Sequence, residues 1–267
     1  MSFSAEWLAL REPIDHAARD AGVLSAVINL IEGETPARIT DIGSGTGSTI
    51  RAIEKETSHP IAWHLVDNDA ELLKVATAES QNTKINTSLA DLSTSLDAVF
   101  AHECDLVTTS AFLDLVSTQW LSGFVDALKD HNKPFYAALT YDGRAGALPP
   151  IGHDDIILNA FNAHQRTDKG FGPALGPDAA DTAIEMFSEA GYEVFHSLSD
   201  WQAGPANIPF QRMLLEGWQQ AANEIRPDLK DDFADWYDMR QRLLIDAENY
   251  HPSVFVGHID FLALPTK

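Results

Sequence analysis

The stretch Ile39-Thr40-Asp41-Ile42-Gly43-Ser44-Gly45-Thr46-Gly47-Ser48 predicts a short apolar strand that ends in a glycine-rich turn. The residues that follow predict a helix over 48–57, so the turn leads directly into a helix N-terminus. Glycine at three alternate positions keeps side chains out of the turn, and the backbone can therefore approach a flat or anionic ligand group. A strand, glycine turn and helix in this order are typical of doubly wound α/β folds, which bind ligands at the carboxyl ends of their strands.

The composition describes one large, acidic, folded protein. The chain has 267 residues, 45% hydrophobic and 22% charged, which is enough for a single α/β domain with a sizeable core. Its formal net charge of -22 argues against nucleic acid or an anionic membrane as a partner. The first residues lack a signal-peptide pattern, and the longest apolar stretch is too short to span a bilayer. With Cys104 as its one cysteine the chain forms no internal disulfide, so we expect a cytoplasmic protein. We also expect a small-molecule substrate, and the sequence leaves the oligomeric state open.

After residue 35, segments of strand character alternate with helical segments. This alternation predicts βαβ units and a parallel sheet. Strands are expected at 38–42, 61–66, 86–89, 104–108, 134–139, 192–198 and 253–264. Between them, helices are expected at 70–79, at a segment that ends near 128, and at 179–190.

The whole chain, 1–267, is interpreted as a single domain with three additions. Residues 1–35 predict an N-terminal helical cap with a break at Pro13, because proline disrupts helix interiors. Periodicity fades over 145–177, and since a loop of that length is usually functional or disordered, we expect it to form the substrate pocket together with the cap. A helical insertion is predicted over 205–250, before the last strand. Within these regions helices are expected at 154–161, 211–225 and 231–246.

Acidic residues follow the next two predicted strands. Asp67 ends the second strand, where a carboxylate can accept hydrogen bonds from a ribose diol, and Asp91 ends the third, within reach of an adenine amino group. The alternative is that Asp69, Asp91 and Asp114 each cap a helix N-terminus. Acidic residues at successive strand ends favour the ligand site.

Together these residues resemble a known set of motifs. Gly43-x-Gly45-x-Gly47 after Asp41, with Asp67 and Ala90-Asp91-Leu92, resembles the cofactor motifs of class I S-adenosylmethionine-dependent methyltransferases. The resemblance implies a Rossmann-like methyltransferase fold: a doubly wound, seven-stranded, mostly parallel sheet with an antiparallel last strand, here with extra N-terminal and C-terminal helices. The stretches 7–13, 110–116, 141–144 and 164–172 also resemble a bacterial branch of that superfamily.

The same resemblance implies S-adenosyl-L-methionine as the cofactor and assigns residues to it. The glycine turn would hold the methionine part, Asp67 the ribose, Asp91 the adenine, and 109–111 the region near the sulfonium. The implied cofactor-binding residues are Asp41, Gly43, Ser44, Gly45, Gly47, Asp67, Asn68, Asp91, Leu92, Thr109, Ser110 and Ala111.

Catalysis would need few protein groups, because the sulfonium is already an activated leaving group. The protein must align the nucleophile, exclude water and take up a proton from an oxygen or nitrogen acceptor. His164 with Asp168 is the expected base and orienting pair, since histidine titrates near neutrality and a carboxylate fixes its tautomer. Tyr141 is the third candidate catalytic residue. The alternative for His164 is a helix-end histidine that binds a backbone carbonyl.

Basic residues are scarce, yet several fall in the segment after the fifth strand. A cluster of them would bind a carboxylate or phosphate, which predicts a small anionic or zwitterionic acceptor. The alternative is that they form ion pairs with neighbouring acids such as Asp142 and Asp168. The candidate substrate-binding residues are Arg11, Asp142, Arg144, Arg166 and Lys169.

Two other functions are compatible with the same motifs. A dinucleotide fingerprint requires Gly-x-Gly-x-x-Gly or Ala, and the third position here is Ser48, so an NAD(P)-binding oxidoreductase is one alternative. A protein that binds S-adenosylmethionine for regulation, without turnover, is the other. The acid after the third strand and the antiparallel last strand favour the methyl donor. His153, Asp154 and Asp155 have ligand-like spacing, but no Cys/His pattern supports a metal, and none is expected.

Overall fold

The computed structural model describes residues 4–33, 35–79 and 84–266. In these residues one sheet contains β1 (Ala37–Ile42), β2 (Ile61–Asp67), β3 (Lys84–Leu89), β4 (Leu106–Ser110), β5 (Phe135–Leu148), β6 (Tyr192–Leu198), β7 (Trp201–Ala203) and β8 (Ser253–Pro265). The strand order is β3-β2-β1-β4-β5-β8-β6, and the short β7 pairs with β8. Strands β1 to β5 are parallel, whereas β8 is antiparallel to β5, β6 and β7. The seven strands of the main path match the predicted sheet, and β7 was not predicted.

Helices cover both faces of the sheet. They are α1 (Ala5–Ala18), α2 (Ala21–Ile31), α3 (Ser48–Glu54), α4 (Ala70–Glu79), α5 (Thr118–Asp130), α6 (Asp154–Gln165), α7 (Ala179–Glu189), α8 (Ile208–Ile225), α9 (Lys230–Ile245) and α10 (Ala247–Tyr250). The predicted insertion at 205–250 contains α8, α9 and α10, between β7 and β8. A search of the described residues for a helix long and apolar enough to cross a bilayer finds none.

The core lies in two layers, one on each face of the sheet. Successive side chains of a strand point to alternate faces of the sheet. Ile39 and Ile42, three positions apart in β1, therefore pack in different layers. Tyr136 and its neighbour Phe135 divide between the layers in the same way. Because both faces are covered, the central strands are apolar along nearly their whole length.

The N-terminal cap differs from the prediction at its break. Helix α1 continues through Pro13, and an ion pair between Arg11 and Asp15 spans the proline. The break comes instead after Ala18, where the Asp20 carboxylate accepts a hydrogen bond from Val23 N at 2.8 Å and begins α2. The expected break at Pro13 is therefore wrong. The first three residues and residue 34 of the predicted cap lie outside the described residues.

The predicted loop at 145–177 is mostly regular structure. Strand β5 does not end near 139 but runs to Leu148, because β8 pairs with it from Phe135 to Leu148, with two irregularities in register. Helix α6 follows, and a 3-10 turn covers Gly176–Asp178. The irregular part, 166–175, is held by the bridges Ser117 to Ala174 and Asp168 to Pro173.

Candidate functional site

A cavity of about 260 Å³ lies at the carboxyl end of the parallel strands, around the glycine turn. Helix α1 closes one side of it with Leu8, Arg11 and Asp15. Most of the predicted cofactor-binding residues line this first cavity. They are Gly43, Ser44, Asp67, Asn68, Asp91, Leu92, Ser110 and Ala111.

The glycine turn has the left-handed backbone that its sequence requires. Gly43, Gly45 and Gly47 have φ values of +60°, +52° and +81°, a conformation that side chains disfavour. At Gly43 an added Cβ would also lie 2.8 Å from the Phe112 ring. Gly45 and Gly47 shape the turn without lining the cavity, and Gly47 is the N-cap residue of α3.

Asp67 joins the end of β2 to the glycine turn. Its Oδ2 accepts a hydrogen bond from Gly45 N at 2.8 Å, and its Oδ1 accepts one from Asp69 N at 2.9 Å. Burial raises the pKa of this carboxyl, and the hydrogen bonds from the amides act in the opposite direction. A carboxylate has lone pairs for further donors, so Asp67 can still accept hydrogen bonds from a diol in the cavity.

Asp41 and Thr109 lie beneath the turn and do not line the cavity. Asp41 Oδ1 accepts a hydrogen bond from Thr108 Oγ1 at 2.7 Å, and burial raises the pKa of Asp41 to about 7. Thr109 Oγ1 donates to Ile42 O at 2.8 Å. Both contacts hold β1 against β4, so these two side chains support the floor of the site.

Of the three acidic residues considered as helix caps, only Asp69 caps an α-helix. Asp69 Oδ1 accepts hydrogen bonds from the Glu71 and Leu72 amides and caps α4. Asp91 accepts one from Ser93 N at 2.9 Å and lines the first cavity as well. Asp114 does not cap α5, because Ser117 does so.

A second cavity, of about 520 Å³, adjoins the first. The two share Arg11, Ala111, Leu115 and Lys169 in their walls. Helices α1, α6 and α8 and the strands β5, β7 and β8 contribute the rest of the lining. Five aromatic side chains form much of the surface: Trp7, Tyr141, Phe161, Trp201 and Trp218.

The structure does not form the predicted pair of His164 and Asp168. His164 lines the second cavity, but its Nε2 lies 3.1 Å from Glu224 Oε2 and its Nδ1 lies 3.2 Å from Lys169 Nζ. Asp168 instead accepts hydrogen bonds from the amides of Gly170 and Gly172. The physical reason is that α6 ends at Gln165, so the helical i, i+4 spacing does not apply beyond it.

The hydrogen-bond partners of His164 determine its neutral tautomer. An ammonium group can only donate and a carboxylate can only accept, so Lys169 donates to Nδ1 and Nε2–H donates to Glu224. Both ring nitrogens are then engaged. The Tyr141 hydroxyl is engaged too, since it donates to Asn162 Oδ1 at 2.7 Å. The arrangement therefore occupies the groups that these two side chains would need for proton uptake.

The predicted basic cluster is divided. Arg144 pairs with Asp142 and Asp200, and Arg166 pairs with Asp178, so the ion-pair alternative holds for both arginines. These two arginines and Asp142 lie outside the linings of both cavities. Arg11 and Lys169 lie in the wall shared by the two cavities. Arg11 donates to Asp15 Oδ2 at 2.9 Å.

Three buried polar residues of the site were not predicted for it. Asp114 lines the second cavity, and burial raises its pKa to about 6, while Arg11 and Lys169 act in the opposite direction. His258 lines the same cavity, and burial lowers its pKa to about 3. Asp15 lines the first cavity next to Arg11. Of the three, only Asp114 has a signal in the sequence, because it lies within the stretch 110–116 that resembles the bacterial branch.

The side chains with ligand-like spacing do not come together as a metal site. Within 4–33, 35–79 and 84–266, no three His, Cys, Asp or Glu side chains are grouped so that they could hold a metal ion. Asp154 instead pairs with Arg240. His153 has a left-handed backbone just before α6.

Comparison with known proteins places the fold. No family model matches the sequence, and no curated protein matches it. Solved structures match at low identity. A cyclopropane-fatty-acyl-phospholipid synthase-like protein from Lactobacillus casei has a TM-score of 0.56 at 11% identity, covering 99% of this chain and 95% of that chain. A cyclopropane synthase from Mycobacterium tuberculosis has a TM-score of 0.51 at 14% identity, covering 98% and 94%.

A third similar structure is that of a methyltransferase with a bound cofactor product. It is an S-adenosylmethionine-dependent methyltransferase from Thiobacillus denitrificans in complex with S-adenosylhomocysteine, with a TM-score of 0.50 at 13% identity, covering 98% of this chain and 99% of that chain. The chain therefore has the fold of the class I methyltransferases, including the antiparallel strand between β5 and β6. The predicted fold class is confirmed.

Proposed function

We propose that the chain is an S-adenosylmethionine-dependent methyltransferase that acts on a small molecule. The observation that carries this proposal is the pair of adjacent cavities with a shared wall. The first lies at the glycine turn and takes the donor, and the second takes the acceptor. A methyl group presented at Ala111 in the shared wall is open to a nucleophile in the second cavity.

The residues of the first cavity fit the donor. At Gly43 and Ser44 the donor can approach the backbone closely, because the glycine has no side chain to block it. Asp67 suits the ribose diol, and Asp91 with Leu92 suits the adenine. The bound donor supplies a methyl group on a sulfonium leaving group. A dinucleotide enzyme is a poorer fit, because its sheet continues with parallel strands where β8 is antiparallel here.

We propose Asp114 as the group that takes up a proton from the acceptor. It replaces His164 in that role, since both nitrogens of His164 are engaged. Asp114 is buried in the second cavity, and its raised pKa of about 6 makes its carboxylate a better base than an exposed aspartate. Only the ionised form can accept a proton.

A pH profile tests this role. Below about pH 6 Asp114 is protonated, so we expect kcat to fall as the pH drops through that value and to level off above it. Asp114→Asn should lower kcat by about 100-fold, with a smaller change in KM, and should abolish the acidic limb of the profile. Asp126→Asn, on the exposed side of α5, is the control. An Asp114→Asn enzyme that kept the acidic limb would contradict the assignment.

The acceptor is proposed to be anionic or zwitterionic. Of the predicted cationic residues, Arg11 and Lys169 line the second cavity and so support this proposal. The exposed pairs formed by Arg144 and Arg166 do not bear on it. A charged group of the acceptor would replace water around a buried cation and gain a charge-assisted hydrogen bond.

The setting is proposed from charge and cysteine content. The net charge of -22 disfavours nucleic acid and anionic membranes as partners. Cys104 is buried and unpaired, as expected in a reducing compartment. A bacterial, cytoplasmic enzyme stays a prediction of the sequence.

Calorimetry separates the competing cofactors. We expect S-adenosylhomocysteine to bind and NAD not to bind, and the opposite result would overturn the proposal. A screen of small acids with donor labelled on its methyl group then tests turnover. Tight binding of S-adenosylhomocysteine with no methyl transfer to any class of small molecule would favour the regulatory alternative.

A further inference from the structure

Among the described residues, the Lys169 ammonium group is a buried cation that lacks a carboxylate partner. Lys169 is 6% exposed and lies in the wall between the two cavities. Its Nζ donates to His164 Nδ1 at 3.2 Å and to Thr167 Oγ1 at 3.0 Å. No acidic side chain of the described chain forms an ion pair with it. Since an ammonium has three donors, one N–H is left for a ligand.

The groups that form hydrogen bonds with Lys169 hold it in place without neutralising it, and the carboxylates of Asp114 and Glu224 act on it through space without pairing with it. Its two acceptors, a neutral imidazole and a hydroxyl, carry no charge, and Glu224 fixes the imidazole from the other side. The other cation of the shared wall, Arg11, is already paired with Asp15. A buried charge is costly unless it is paired, so the site gains most from an anion that binds Lys169.

The second cavity also has polar lining residues, among them Asp114, Glu216 and His258, but aromatic and aliphatic side chains form much of its surface. Trp7 stacks on Phe210 at 5.5 Å between ring centroids, and Trp201 meets both rings edge-on, which fixes the aromatic wall. The volume of about 520 Å³ is in the range of pockets for small organic molecules. Small polar metabolites would leave these aromatic surfaces uncovered. The remaining apolar lining residues are Leu115, Leu139, Met213, Leu214, Ala221 and Val256.

We infer that the acceptor is an amphipathic carboxylic acid, with its carboxylate bound by Lys169 and a compact apolar body packed against the aromatic wall. This inference rests on the proposed function and deepens it. A carboxylate fits better than a phosphate, because one free N–H of one lysine matches a singly charged group, whereas phosphates are usually held by several donors or a bidentate arginine.

Calorimetry without any methyl donor tests the inference with three probes. They are 3-phenylpropanoate, 3-phenylpropan-1-ol, which replaces the carboxylate by an uncharged group, and propanoate, which lacks the apolar body. We expect the phenyl acid to bind at least about tenfold more tightly than the alcohol, and propanoate to bind too weakly to detect. Equal affinity for acid and alcohol, or tight binding of propanoate, would overturn the inference.

Substitution of the lysine locates the anion. Lys169→Met should remove the preference for acid over alcohol and keep the affinity for the alcohol, which also shows that the variant is folded. Lys169→Arg should retain part of the preference, and Lys129→Met, at an exposed position on α5, should retain all of it. A Lys169→Met protein that still bound the acid more tightly than the alcohol would contradict the proposal.

A last binding experiment tests whether Lys169 binds the carboxylate of the acceptor or that of the donor, whose methionine part also carries one. S-adenosylhomocysteine is compared with 5′-methylthioadenosine, which lacks the amino acid. If Lys169→Met weakens only S-adenosylhomocysteine and leaves the acid preference intact, the lysine serves the donor and the inference is wrong. If the protein binds no S-adenosylhomocysteine but the Lys169-dependent acid preference is present, the proposed function fails while the carboxylate site stands.

Discussion

Asp67→Ala is expected to weaken the binding of S-adenosylhomocysteine by about 30-fold or more, equivalent to about 2 kcal/mol. The substitution removes the carboxylate that faces the ribose in the proposed complex. It also frees Gly45 N, which Asp67 Oδ2 binds at 2.8 Å, so the glycine turn keeps only its backbone hydrogen bonds to Val66 of β2. Calorimetric titration measures the change directly.

Two further variants show how much of the loss in affinity comes from the charge of Asp67 and whether it is specific to this position. Asp67→Asn keeps an oxygen that can accept from Gly45 N but loses the charge, and an intermediate loss is expected. Asp97→Ala removes an exposed carboxylate from the segment after β3 and should leave the affinity unchanged. If Asp67→Ala bound as tightly as the unchanged protein, the first cavity would not be the donor site.

Asp154→Ala is expected to lower the free energy of unfolding by about 3 kcal/mol, because it leaves the buried Arg240 guanidinium without its counter-ion. Arg240 is 2% exposed, and its Nη2 donates to Asp154 Oδ1 at 2.5 Å. The same carboxylate accepts hydrogen bonds from Trp236 Nε1 at 2.7 Å and from Ile151 N at 2.8 Å. It therefore ties α9 to the start of α6.

Urea unfolding measures this loss, and the neighbouring residue supplies the control. Asp155 carries the same charge at an exposed position, one residue along α6. Asp155→Ala should change the midpoint little, as surface substitutions usually do. Equal midpoints for the two variants would show that the Arg240 pair contributes nothing net to stability.

The sequence predicts the central sheet because its signals there are local. The glycine turn, the strand before it and the acids at 67 and 91 can all be interpreted from nearby residues, and the structure brings the turn and both acids to one cavity. The extension of β5 to Leu148 could not be predicted in this way. Its partner β8 lies more than a hundred residues further along the chain, and the polar stretch at 140–144 has the composition of a loop.

The contacts around the second cavity could not be predicted in this way either, because they join distant parts of the chain. The carboxylate that contacts His164 is Glu224, 60 residues away on α8, and no spacing rule connects the two. Asp114 becomes buried only when the turn between β4 and α5 packs against α1 and the segment after α6. The pairing of Arg144 with the nearby Asp142 was an alternative visible in the sequence, but its second partner Asp200 and the Asp178 partner of Arg166 were not.

The two cavities are built from different parts of the α/β fold. The first cavity, proposed for the donor, is lined mostly by the turns at the carboxyl ends of the parallel strands. The second cavity, proposed for the acceptor, is lined mostly by α1, α6, the β5–β8 ribbon and α8, which is inserted before β8. Under the proposed function, substitutions in these peripheral parts would change which acceptor fits, and the donor cavity at the glycine turn would keep its shape.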